Sequence, residues 1–203
     1  MTGLGKKTNL IKTFAFLLFY VVAASAQPVA LKLVEGHQMR IEGTSNLRDW
    51  DAEVREIEVE FVLADSAAHA VADLRADSFT KLVLQIPVAG IKSGTRGLTG
   101  KIHKYIKKDE YPVLAFVLEE VTAIEHKEGV ALVTARGMLN AAGKEQQVVL
   151  QVSISDGEND LFIVEGNQPL KMTQFGIKPP TAVFGTIKAV DEFSVRFSLS
   201  FSR

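Results

Sequence analysis

From Phe193 to Ser202 apolar and polar residues alternate without a break. Phe193, Val195, Phe197, Leu199 and Phe201 fall on one side, and Ser194, Arg196, Ser198, Ser200 and Ser202 on the other. A period of two is that of a β-strand with one buried and one solvated face. The same period sets Ile57, Val59 and Phe61 against Glu56, Glu58 and Glu60, and sets Leu82, Leu84, Ile86 and Val88 against Lys81, Val83 and Gln85. It returns where Val148, Leu150, Val152 and Ile154 oppose Gln147, Val149, Gln151 and Ser153. Between Val113 and Val117 both faces are apolar, which predicts a strand covered on both sides.

Turn residues separate these runs: Lys127-Glu128-Gly129, Ala142-Gly143 and Asp156-Gly157-Glu158-Asn159-Asp160. Short strands joined by hairpins predict an antiparallel sheet, sandwich or barrel. One stretch changes period. Over 97–109, Leu98, Ile102, Tyr105 and Ile106 fall on one helical face, Lys101, Lys104, Lys107 and Lys108 on the other, and Pro112 follows as a stop. No repeat, low-complexity tract or linker divides the chain.

The first 26 residues have a different pattern. Lys6, Lys7 and Lys12 precede an apolar run from Phe14 to Ala24, and Ala24-Ser25-Ala26 closes it. These are the three parts of a cleavable export signal, with the cut expected after Ala26. The run falls well short of the ~20 residues that span a bilayer. The expected organisation is a signal peptide over 1–26 and one domain over 27–203, periplasmic or secreted.

Removing that segment takes three lysines and no acid, so the net charge moves from −1 for the whole chain to −4. Such a balance lacks the basic excess that nucleic acid requires. There is no cysteine, which excludes disulfides and thiol chemistry. An exported chain of this kind must be held by core burial and strand pairing alone.

Candidate chemistry is sparse. His37, His69, His103 and His126 have no partner at metal-ligand spacing, and His103 beside the helix lysines is expected on a solvated face. The carboxylates of Glu56, Glu58 and Glu60 stand ~7 Å apart along a strand, too far to share an ion. Asp156–Asp160 lacks the Gly at position six and the closing Glu of a calcium loop and is expected as a turn. The glycine-rich Gly94–Gly100 has neither phosphate-loop nor dinucleotide spacing and is expected as a loop. No Gly-x-Ser-x-Gly elbow is present. The pattern asks for no enzyme and no cofactor.

An antiparallel sheet of about eight strands closes into a barrel that can hold one small ligand. The inward phenylalanines either fill such a barrel or surround a cavity in it, and periodicity leaves both open.

Four segments resemble the YceI-like family of exported polyisoprenoid- or lipid-binding proteins. They are Ser45-Asn46-Leu47-Arg48-Asp49-Trp50; Ile86-Pro87-Val88 to Ile91-Lys92-Ser93-Gly94 with Asp109-Glu110-Tyr111-Pro112-Val113-Leu114-Ala115-Phe116; Ala135–Lys144; and Leu170–Pro180 with its Phe175-Gly176 pair. Arg48 stands where the family often has His, and Met172 where a basic residue often precedes the Phe-Gly pair. The resemblance implies a mostly all-β fold, a lipocalin-like antiparallel eight-stranded β-barrel with one short amphipathic helix. It also implies a long amphiphile held inside: an isoprenoid, an isoprenoid quinone or a fatty amide. The residues expected to bind it are Ile57, Val59, Phe61, Leu84, Ile86, Phe116, Leu150, Val152, Phe193, Val195 and Phe197 on the inner faces, with Trp50 and Phe175 at the mouth. The expected partner is therefore a hydrophobic lipid, with a homodimer left open. Two other readings remain: a packed, ligand-free envelope interaction module, and an enzyme acting on a lipid through Asp49 or Asp191 at the rim.

Overall fold

The computed structural model describes residues 27–64 and 69–203. The export-signal expectation for 1–26 lies outside the described residues.

Twelve strands and one α-helix follow in chain order: β1 (Val29–Leu33), β2 (Gln38–Ser45), β3 (Trp50–Val54), β4 (Glu58–Leu63), β5 (Phe79–Pro87), β6 (Ile91–Lys92), α1 (Leu98–Tyr105), β7 (Val113–Lys127), β8 (Val130–Ala141), β9 (Lys144–Asp156), β10 (Phe162–Lys171), β11 (Thr181–Ala182) and β12 (Ile187–Ser202). The strands pair antiparallel in the order β1-β4-β5-β7-β8-β9-β10-β12, and a further β1–β12 pairing closes the ring. The result is the expected closed eight-stranded barrel with one helix.

The remaining strands are kinked continuations of ring strands. β2 lies beside β12 where β1 leaves off, β3 pairs with β2 as β4 does with β1, and β6 pairs with β3 as β5 does with β4. Three composite strands thus rise above the ring. At their end β6 pairs with β3 alone among the described strands, and α1 follows β6 in the chain.

The hairpins form as the turn residues dictate. Glu128-Gly129 and Ala142-Gly143 both take left-handed φ, 49° and 82° in the first and 51° and 76° in the second, which matches the twist of two-residue hairpins. Gly157–Leu161 makes a short turn, as expected of that run.

The two ends of the barrel differ. At one end the 3₁₀ turns Val71–Asp73 and Ala76–Ser78 fold across, burying Val71 and Leu74 completely. The Asp156 carboxylate accepts the Val71 amide at 3.3 Å and fixes that cover. Phe61 meets Phe201 edge-to-face at 5.2 Å and stacks near Phe79 at 6.0 Å just inside it. This end is packed and shut. The other end carries the 46–49 loop, the 93–112 segment with α1, the 142–143 hairpin and the 172–186 segment.

Two expectations need correction. The Val113–Val117 strand is covered on its inner side only: Phe116 is buried, but Val113 and Val117 are exposed to solvent. The helix stops at Tyr105 because Lys107 adopts a left-handed φ of 59° and the Lys108 amide donates back to the His103 carbonyl, a C-terminal cap geometry more often built on glycine.

A hollow barrel with a cationic mouth

Inside the ring, relative burial separates a packed zone from a void. Leu63, Phe162 and Phe201 near the shut end are fully buried. Further up, Leu82, Leu84, Leu118, Leu150, Val152, Val195 and Phe197 also point inward yet are only half-buried. Inward apolar side chains with exposed surface border an internal space, here a cavity of about 440 Å³ that reaches from the Phe61–Phe79–Phe201 cluster to the open end. That volume is in the range of built small-molecule sites, ~300–1,000 Å³.

Of the residues expected at the site, Trp50, Phe61, Leu84, Ile86, Phe116, Leu150, Val152, Phe175, Phe193, Val195 and Phe197 stand on the cavity wall. Ile57 and Val59 do not. They are half-buried in the apolar packing around the wall; Ile57 falls in the kink between β3 and β4, and Val59 is the second residue of β4 next to that kink.

The helix contributes wall residues that periodicity alone did not assign. Leu98, Ile102, Tyr105 and Ile106 turn their shared face onto the cavity. His103 is not on a solvated face: its Nε2 donates to the Ile91 carbonyl at 2.9 Å and ties α1 to β6. Lys101, expected on the solvated side, also borders the cavity; a long aliphatic stem lets a lysine lie along apolar surface with its ammonium in water.

The charge on the cavity wall is of one sign. Arg48, Arg96 and Lys101 are the charged residues on the cavity wall, and no Asp or Glu is among them. No ion pair among the described residues involves any of the three. Ser45 and Thr95 add hydroxyls beside them.

The rim is held by specific hydrogen bonds. Trp50 Nε1 donates to the Thr44 carbonyl at 3.2 Å, and Ser45 Oγ donates to the Arg48 carbonyl at 2.7 Å. Asn46 bridges to the next loop, donating to the Thr186 carbonyl at 2.9 Å and accepting the Lys188 amide at 2.8 Å. Asp191 accepts the hydroxyl and the amide of Thr173, at 2.7 and 2.9 Å. The Thr173 hydroxyl is the larger cause, with the amide next, that holds this carboxyl below the ordinary carboxylate range. The tie fixes the Met172–Phe175 turn that seats Phe175 on the wall. Among the described residues no group of three His, Asp or Glu side chains is placed to hold a metal ion, and no helix is long and apolar enough to cross a membrane.

The family model of the YceI-like domain matches residues 34–201. Solved structures share the fold at low identity. BcnA of Burkholderia cenocepacia superposes with a TM-score of 0.61 at 14% identity, over 81% of this chain and 95% of that one. A polyisoprenoid-binding domain from Saccharophagus degradans gives 0.59 at 10% identity, over 87% and 98%. The Campylobacter jejuni YceI protein gives 0.58 at 16%, over 75% and 84%. No curated protein matches the chain in sequence.

Proposed function

The chain belongs to the YceI-like family, and from that premise we propose that it is an exported carrier, periplasmic or secreted, that sequesters a long-chain amphiphile inside its barrel. One observation carries the reading: the inward apolar residues between Leu82 and Phe197 border an open cavity instead of filling it. A packed, ligand-free module would bury these side chains against each other.

Binding here is apolar along the wall apart from Gln168, and is otherwise polar at the mouth. Each CH₂ transferred from water to such a wall is worth about 0.8 kcal/mol, so a chain of many carbons binds without polar contacts. The end left at the mouth meets the cationic donors Arg48, Arg96 and Lys101, with the Thr95 hydroxyl beside them. Donors alone favour a headgroup rich in acceptor oxygens, such as a quinone ring, an amide or a phosphate. An isoprenoid or isoprenoid quinone fits both parts. The solved domain of the same fold from Saccharophagus degradans, described as polyisoprenoid-binding, supports the chain class. No catalytic group is required, and the amphiphile is cargo, with no cofactor beside it.

Organic extraction of protein purified from its native host, followed by mass spectrometry, tests the proposal. A single lipid at near one-to-one stoichiometry is the expected result. Repeated absence of lipid, together with no uptake of added quinone, would show a ligand-free module instead.

A further inference from the structure

The two ends of the barrel differ in charge and in surface apolarity as well as in closure. The segments at the open end, 46–49, 93–112, 142–143 and 172–186, hold Arg48, Arg96, Lys101, Lys104, Lys107, Lys108 and Lys178 against Asp49, Asp109 and Glu110. Among the described residues, the segments at the shut end, 69–78, 128–129, 157–161 and 203, hold Asp73, Asp77, Glu128, Glu158 and Asp160 against Arg75 and Arg203. A chain whose sum over 27–203 is −4 is thus positive at its mouth and negative at its base.

Exposed apolar residues are concentrated toward the open end, with Val117, Leu132 and Val149 scattered on the outer faces of the strands. Leu47, Tyr111, Val113, Val183, Phe184 and Val190 are large hydrophobics exposed at or beside the open end, whereas the turns of the shut end show none among the described residues. Phe184 is the extreme case at 110% exposure, with Val183 beside it at 62%. Both sit in left-handed backbone, Val183 at φ 49° and Phe184 at φ 52°, where a β-branched residue such as Val183 is strained. Ala182 and Ile187, at the base of this turn, line the cavity. Its neighbour is the 46–49 loop, joined to it by the Asn46 hydrogen bonds, from which Leu47 projects at 65% exposure.

We propose that this end is a membrane-docking surface: Val183, Phe184 and Leu47 enter the headgroup region of a bilayer, and the ring of arginines and lysines around them meets anionic phospholipid. Two features on one rim argue for a bilayer over a protein partner. The apolar contribution comes from a few separate projecting side chains, suited to shallow insertion, and the surrounding excess positive charge is complementary to an anionic leaflet. The negative base turns the molecule mouth-first in the field of such a surface. Docking in this pose places the cavity opening against the lipid. The inference goes beyond the carrier reading and does not depend on what fills the cavity.

Flotation of the purified protein with empty vesicles tests it, comparing pure phosphatidylcholine with a 7:3 mixture of phosphatidylcholine and phosphatidylglycerol. The expected result is partition onto the anionic vesicles at least tenfold stronger than onto the neutral ones, falling as salt rises. The double variant Val183→Ser/Phe184→Ser should lose about tenfold on anionic vesicles. The triple variant Arg48→Gln/Arg96→Gln/Lys101→Gln should lose the preference for them. Near-ultraviolet circular dichroism of Trp50, the only tryptophan, reports that each variant keeps the native rim. Equal partition of the unaltered protein onto both vesicles, or unchanged partition of the Val183/Phe184 variant, overturns the proposal. So does a concentration-dependent dimer in sedimentation equilibrium that this variant abolishes while vesicles go unbound, since a second copy would then cover the surface. The vesicles carry no isoprenoid or quinone, and the carrier reading is tested separately by the lipid extracted from the native host, so the two can fail independently.

Discussion

The indole of Trp50 lies flat across Gly43, its direct partner on the neighbouring strand, so closely that a Cβ at residue 43 would collide with the six-membered ring. The glycine is therefore the seat of the aromatic side chain at the mouth: its missing side chain lets the ring cover the strand, and the Thr44 carbonyl fixes the ring's far end. Gly166 and Phe197 repeat the arrangement deeper in the barrel, as cross-strand partners with the ring over the glycine.

Gly43→Val should expel the Trp50 indole from this seat. The expected cost is about 1–3 kcal/mol, the usual penalty of overpacking a fitted site, read from urea unfolding. Because Trp50 is the sole tryptophan, its emission should shift to the red in the folded variant. An unshifted spectrum would mean that the ring keeps its place by another contact.

Leu84 and Glu58 lie on adjacent paired strands but on opposite faces: Leu84 borders the cavity, and Glu58 is exposed and pairs with Gln85. Leu84→Glu puts an unpartnered carboxylate into an apolar space, which is costly to desolvate. Titration with a fluorescent fatty-acid analogue should show uptake reduced at least tenfold. Glu58→Lys, on the solvated face, should take up the probe as the unaltered protein does. Equal uptake by both variants would sink the carrier reading.

Much of this was legible in the chain. Strict alternation in β12 and β9 marks which side chains turn inward, because a pleated strand has only two faces, and the paired turn residues mark the hairpins. The helix signal also held, though its end did not, since nothing in Lys107 announces a left-handed φ. Periodicity could not distinguish a filled barrel from a hollow one: Leu84 and Phe61 carry the same inward signal and both border the cavity, yet Leu84 keeps exposed surface toward the void while Phe61 is buried in its floor. That difference depends on how three composite strands kink away from the ring, a tertiary property. In the chain Arg48 is a departure from the family pattern, Arg96 part of a glycine-rich loop and Lys101 a lysine of the solvated helix face; only the closed barrel brings these separate segments to one opening.

Asp191 gives the rim a pH dependence. Its carboxyl is held below the ordinary range, chiefly by the Thr173 hydroxyl and then by the Thr173 amide. The contribution is complete above the unfolded value, about 3.9 for an aspartate, and is lost as pH falls through the lowered folded value. At neutral pH the tether is intact. Asp191→Asn removes the charge there, so the amides of Gly176 and Ile177, which close the 172–177 turn onto Thr173 and Met172, should exchange faster with deuterium in the variant. Protection equal to that of the unaltered protein would show that the turn stands without the carboxylate.

The cavity floor should set the length of chain that fits. Phe79 is half-buried, borders the cavity and stacks near Phe61, whereas Phe201 beneath is fully buried. Phe79→Ala therefore deepens the cavity without removing the lowest layer of the core. It should cost at most about 3–5 kcal/mol in the empty protein, the range for a phenylalanine lost from a core. A longer chain can recover part of that by filling the new space. One more isoprene unit carries five carbons, each worth up to about 0.8 kcal/mol if fully buried, while a tenfold change in preference needs only about 1.4 kcal/mol. Competitive titration with isoprenoid alcohols that differ by one unit should show the variant favouring the longer chain about tenfold more than the unaltered protein does. An unchanged ratio would mean that the bound chain ends above Phe79, and that the length limit lies higher on the wall.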